Sequence, residues 1–112
     1  MESTRQSKVA RMLQKDLGEI FQRLERDALQ GKMVTITIVR MSPDLSFAKV
    51  YLSIFPSDKK EEFIENLQHY VKAIRNQLGQ RVRNQLRVVP ELAFYIDDSL
   101  DYVEKIDQLL KK

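Results

Sequence analysis

A chain of 112 residues, 43% hydrophobic and 31% charged, has room for one domain with its own core; its near-average composition excludes a fibrous chain and argues against disorder. With no cysteine there is no disulfide scaffold, thiolate metal site or cysteine nucleophile. No apolar run approaches the ~20 residues of a membrane span and no signal-peptide pattern opens the chain, so a soluble cytoplasmic protein is expected. The net charge of +3 decides little, but its distribution is uneven. Residues 66–90 contain Lys72, Arg75, Arg81, Arg83 and Arg87 and no carboxylate, whereas residues 91–112 set six acids against three lysines. Concentrated positive charge of this kind points to a polyanionic partner met on one side.

The first element is a predicted helix from Ser3 or Thr4 to Ala28. Val9, Leu13, Leu17, Ile20, Phe21 and Leu24 form its apolar stripe, and Arg5, Lys8, Arg11 and Lys15 share another face. Gly31 closes the segment. Val34, Ile36 and Ile38 alternate with threonines as one strand, and the turn formers 42–46 lead to a second strand over 47–55. There Ala48, Val50, Leu52 and Ile54 face the core, with Lys49, Tyr51 and Ser53 on the other side. Two such runs joined by a short link favour an antiparallel pair.

Asp58 and Glu61 have the spacing of a capping box and open a long helix with Phe63, Ile64, Leu67, Tyr70, Val71, Ile74 and Leu78 inward. An unbroken helix past Gly79 places Arg81 inside that stripe. A bend at Gly79 removes the conflict and lets Val82 and Leu86 start a second stripe, so Gly79→Pro is expected to be milder than proline in a helix centre. Pro90 begins a third strand with Leu92, Phe94 and Ile96 inward. Asp98 or Ser99 caps a last helix, with Val103, Ile106, Leu109 and Leu110 inward. The order α-β-β-α-α-β-α describes an α+β domain, its helices packed on one face of a three-stranded sheet.

Catalytic chemistry is poorly served. The single histidine, His69, lies mid-helix with no metal-ligand spacing or nucleophile around it. Asp97 and Asp98 read better as a strand end and a helix cap than as half of a metal site. No Walker or GxGxxG loop is present. The basic set is more informative. Arginine holds phosphate bidentately, and amides at the start of a helix after a bend suit an anion. Lys72, Arg75, Arg81, Arg83 and Arg87 are therefore expected to contact RNA phosphates, with Arg5, Lys8 and Arg11 as a second patch. Five such contacts imply a log-log salt slope of roughly −3.5. Tyr51 and Tyr95, on the non-core strand faces, either stack bases or stay solvent-facing.

The run Arg87-Val88-Val89-Pro90-Glu91-Leu92-Ala93-Phe94 followed by Asp97-Asp98-Ser99, with Ile74-Arg75 and Leu78-Gly79 before it, resembles the ribosome-binding factor A family. The N-terminal half is similar too, from the basic start to Asp44-Leu45-Ser46-Phe47-Ala48-Lys49-Val50-Tyr51-Leu52-Ser53. The resemblance implies a KH-like (type II) α-β-β-α-α-β core, plus the C-terminal helix, over a single RNA-binding domain of residues 1–112. It also implies a non-catalytic factor for late 30S biogenesis and rRNA processing, with a role in cold adaptation. Its partners would be the small ribosomal subunit and its rRNA. No cofactor, metal or membrane is implied, and the free protein is expected to be monomeric. The family bends its central helices at a small-x-Gly motif; Tyr70-Val71-Lys72-Ala73 stands there, leaving the bend to Ala73 or Gly79. The rival readings are a protein-interaction module docking through a sheet edge or helix face, and an RNA-processing enzyme built on His69.

Overall fold

The computed structural model describes residues 3–24, 29, 31–56 and 58–97. Helix α1 spans Thr4–Gln22. Ser3 caps it reciprocally: its hydroxyl accepts the Gln6 N–H at 3.1 Å and the Gln6 carboxamide oxygen accepts the Ser3 N–H at 2.8 Å. The buried Gln6 amide also donates to the Met41 carbonyl at 3.0 Å, tying the helix start to the end of the first strand. The inward stripe is the expected one through Phe21, but the helix stops six residues short of Ala28 and Leu24 falls past its end. The Arg23 N–H reaches back to the Ile20 carbonyl at 3.0 Å, a tightened last turn that ends the helix once Phe21 is buried. Residues 25–28 lie outside the described residues. Gly31 adopts φ 73°, the left-handed conformation that glycine takes at no steric cost.

Strands β1 (Met33–Met41) and β2 (Phe47–Phe55) pair antiparallel from Met33↔Phe55 to Met41↔Ala48. Ala48, Val50, Leu52 and Ile54 are all buried, as their alternation requires. In β1 the expected face is corrected. A bulge between Ile36 and Ile38 leaves Thr37 without a partner, so Ile36, Val39 and Met41 point inward and Ile38 is turned to solvent, 40% exposed. The Gln14 side chain of α1 donates to the Ile36 and Thr37 carbonyls at 3.2 and 3.3 Å, covering the irregularity. In the connecting turn one Asp44 carboxylate oxygen accepts from both the Ser42 and Ser46 hydroxyls, each at 2.7 Å, and from the Ser46 N–H. Those donors lower its pKa to about 2.

The helical pair that follows is broken, but not at Gly79. Helix α2 covers Lys60–Leu67, a 3-10 turn covers Gln68–Tyr70, and α3 runs unbroken over Val71–Val82. The reason for placing the bend at Gly79 also falls. Arg81 does lie on the apolar side of α3, and it is accommodated because carboxylates of α1 meet it there. Gly79 answers a different need: a Cβ there would stand 3.0 Å from a Val89 methyl. The expected capping box is absent as well. Asp58 pairs with Lys32 at 3.2 Å, and Lys59 precedes the helix at φ 56° with no side-chain cap.

Strand β3 (Glu91–Ile96) lies parallel to β2, from Phe47↔Glu91 to Leu52↔Ile96, giving sheet order β1-β2-β3. The helices cover one face. Leu13, Leu17 and Ile20 of α1 share one core with Val50 and Leu52 of β2, Phe63 and Leu67 of α2, and Ile74, Leu78 and Val82 of α3, all fully buried. Phe21 and Phe94 meet edge-to-face at 5.8 Å. The expected final helix, with Asp98, lies outside the described residues.

Candidate nucleic-acid interface

The helical layer sorts the eight cations singled out in the sequence into two groups. Arg5, Lys8 and Arg11 are exposed on the outer side of α1, Lys72 and Arg83 are exposed at the two ends of α3, and Arg87 is exposed in the loop before β3. Helical rise separates Lys72 from Arg83 by roughly 16 Å. Between them Ala73, Asn76, Gln77 and Gln80 are exposed, so this outer face of α3 carries no carboxylate. Arg5 and Arg87 come together: both line a cleft of about 280 Å³ with Asp44, Leu45, Ser46, Leu86 and Val88. The Asp44 charge in that cleft is taken up by its own turn. None of these six cations has an ion-pair partner among the described residues.

Arg75 and Arg81 form the second group and are occupied by the fold. Arg75 donates through Nε to the Pro90 carbonyl at 3.1 Å and through Nη2 to the Val89 carbonyl at 3.0 Å. This fork fixes the approach to β3. Arg81 bonds the carboxylates of Glu19 and Asp16 on α1, the latter at 3.5 Å. The hydrogen bond from Arg81 holds the Glu19 carboxyl below its ordinary value, and the same bond raises the guanidinium. Arg81→Glu would put three carboxylates together between α1 and α3. We expect it to lower Tm by several degrees, and more at low ionic strength, while Arg83→Glu leaves Tm nearly unchanged. Equal melting of the two variants by circular dichroism would refute the pairing.

The expected anion site at a helix start is not formed at the break, because the Val71 N–H already bonds the Gln68 carbonyl. His69 is exposed in the 3-10 turn. Among the described residues no group of three or more His, Cys, Asp or Glu could hold a metal ion, and no helix is long and apolar enough to cross a membrane. Asp97, just past β3, accepts the Thr37 hydroxyl at 2.6 Å. Sequence reasoning put Lys49 on the non-core face of β2 but overlooked Arg40, the exposed cation directly opposite it on the sheet face that no described helix covers. Its alternation with Val39 and Met41 was the available signal.

A mixed three-stranded sheet with its helices on one face and a broken helical pair between β2 and β3 places the chain among type II KH-like domains, a class of small α+β folds. A family model described as Ribosome-binding factor A matches residues 5–110. The ribosome-binding factor A of Cytophaga hutchinsonii is 44% identical over 112 residues, 100% of this chain and 84% of that protein. That of Flavobacterium psychrophilum is 46% identical over 111 residues, 98% of this chain and 85% of that one. The chain belongs to the ribosome-binding factor A family. Among solved structures, the crystal structure of ribosome-binding factor A from Thermus thermophilus superimposes with a TM-score of 0.70 at 27% identity, covering 81% of this chain and 94% of that one. A homology model of the Thermus factor, as fitted into the cryo-EM map of a complex of 30S with ribosome-binding factor A, gives a TM-score of 0.64 at 28% identity, covering 80% of this chain and 91% of that one.

Proposed function

We propose that this chain is a non-catalytic assembly factor that binds immature small ribosomal subunits through their ribosomal RNA and assists late maturation, including rRNA processing. Family membership supports the reading, as does the related Thermus factor, whose coordinates were fitted as part of a 30S complex. The observation that carries it is the set of cations without ion-pair partners among the described residues. Arg5 and Arg87 meet at one cleft, Lys8 and Arg11 continue along α1, and Lys72 and Arg83 stand on the carboxylate-free face of α3. Guanidinium forks at the cleft hold phosphate oxygens, and the other cations follow the RNA backbone by shape and charge. Nothing in this action makes or breaks a bond. Residues 1–112 act as one cytoplasmic RNA-binding domain, monomeric when free and without a cofactor. The role weighs most in the cold.

The test is small-subunit binding by an Arg5→Gln, Arg87→Gln variant over a salt series. We expect affinity to fall roughly tenfold and the log-log salt slope to lose about 1.4, the share of two contacts on single-stranded-like RNA. Unchanged affinity and slope with an unchanged melting curve would remove the cleft from the interface.

A further inference from the structure

The sheet face turned away from the helices is the second unusual surface. Across its centre runs the row Ile38↔Tyr51↔Tyr95, one residue from each strand. The Tyr51 and Tyr95 rings are stacked, with centroids 5.5 Å apart and planes at 29°. Tyr51 has Ile38 on one side and Tyr95 on the other. Tyr95, 42% exposed, belongs to the edge strand β3, and no described ring lies beyond it. The adjacent row is Arg40↔Lys49↔Ala93, about 7 Å along the strands.

Two cations directly opposite in an antiparallel pair repel each other. Neither Arg40 nor Lys49 has an ion-pair partner among the described residues. Of the described carboxylates on this face, Asp97 accepts the Thr37 hydroxyl, and Glu91, one row beyond Lys49, makes no ion pair with it. An aromatic stack whose outer ring is part-exposed, beside two cations that no described carboxylate pairs, matches one ligand chemistry, an unpaired nucleotide offering a base and a phosphate together. We propose that the open sheet face is a second binding surface, for a single-stranded RNA segment. A base continues the stack on Tyr95, and the RNA strand's backbone runs from there across the adjacent row, its phosphates meeting Lys49 first and Arg40 beyond it. This surface uses none of the cations placed at the helical face.

The experiment measures binding of a fluorescein-labelled single-stranded RNA oligonucleotide to the full chain by anisotropy, beside a duplex of the same length. The chain has four tyrosines and no tryptophan, so tyrosine emission gives an independent reading of stacking. We expect the single strand to bind more tightly than the duplex and to quench tyrosine emission. Tyr95→Leu should weaken binding roughly tenfold and remove much of the quenching, while Tyr95→Phe keeps both. Arg40→Gln with Lys49→Gln should also weaken binding while the melting temperature holds or rises, because the repulsion is gone; a merely structural pair would not show that combination. If both sheet variants bind as the parent does while Arg5→Gln, Arg87→Gln loses affinity, the platform is overturned and the helical interface stands. A concentration-dependent dimer abolished by Tyr95→Leu would also overturn it, by assigning the face to a second copy of the chain.

Discussion

Gly79→Pro should cost this protein roughly 3 kcal/mol or more and lower its melting temperature by upwards of roughly 12 °C. Gly79 lies well inside α3, which is continuous over Val71–Val82. A proline there removes an N–H from the helical ladder, and its ring collides with the Arg75 carbonyl one turn back. The damage spreads, because the Arg75 side chain holds the Val89 and Pro90 carbonyls and Gly79 lets Val89 come close. Gly79→Ala isolates the backbone effect. It gains up to about 1 kcal/mol of helix propensity, against the push on a half-buried Val89 side chain, so its net effect is small. Thermal melts of the two variants decide the matter: a proline tolerated as well as alanine would mean that α3 is broken at this point.

The second large effect is expected at Phe21. Its ring, 2% exposed, closes the C-terminal end of the α1 stripe and meets Phe94 of β3 edge-on at 76°. Phe21→Ala should cost about 3–5 kcal/mol, a large share of the 5–15 kcal/mol typical of a small domain. A double-mutant cycle with Phe94→Leu, read by urea unfolding, should give a coupling of about 0.5–1.5 kcal/mol beyond the area lost. Strict additivity would show that the edge-to-face contact adds nothing to burial.

What could be read from the chain beforehand was whatever is decided locally. The start of α1, its apolar stripe and the alternation of β2 depend on neighbours within a turn or a strand, and they stand where the pattern put them. The break between α2 and α3 does not show in the periodicity, because Phe63, Leu67, Ile74 and Leu78 fit an uninterrupted helix. Three residues in 3-10 geometry rotate the following face by only about 60°, and no glycine or proline marks them. In β1 two inward phases coexist, Val34 with Ile36 and Val39 with Met41. Thr37 is the residue left over, and only its covering by Gln14 and pairing with Asp97 locate the switch. Asp58 matched a capping motif but is claimed by Lys32, twenty-six residues away.

The same limit governed the candidate interface. Arg81 in an apolar stripe was recognised as a conflict, but its answer lay on another helix, in Asp16 and Glu19. Arg75 reads as a surface cation until the segment it holds is seen. A composition-based reading weighs every arginine alike, whereas packing divides them into those the fold consumes and those it leaves to solvent.

The parallel pairing of β3 with β2 has a consequence for how the molecule is made. Helix α1 and the β1-β2 hairpin involve partners close in sequence, but Glu91 must find Phe47 across the whole intervening chain, a closure that is slow to reach. During synthesis from the amino end, the hairpin exists for a time with one flank of β2 unfilled and Val50 and Leu52 only partly enclosed. Strand β3 therefore acts as the latch of the domain, and Arg75 of α3 holds the backbone just ahead of it.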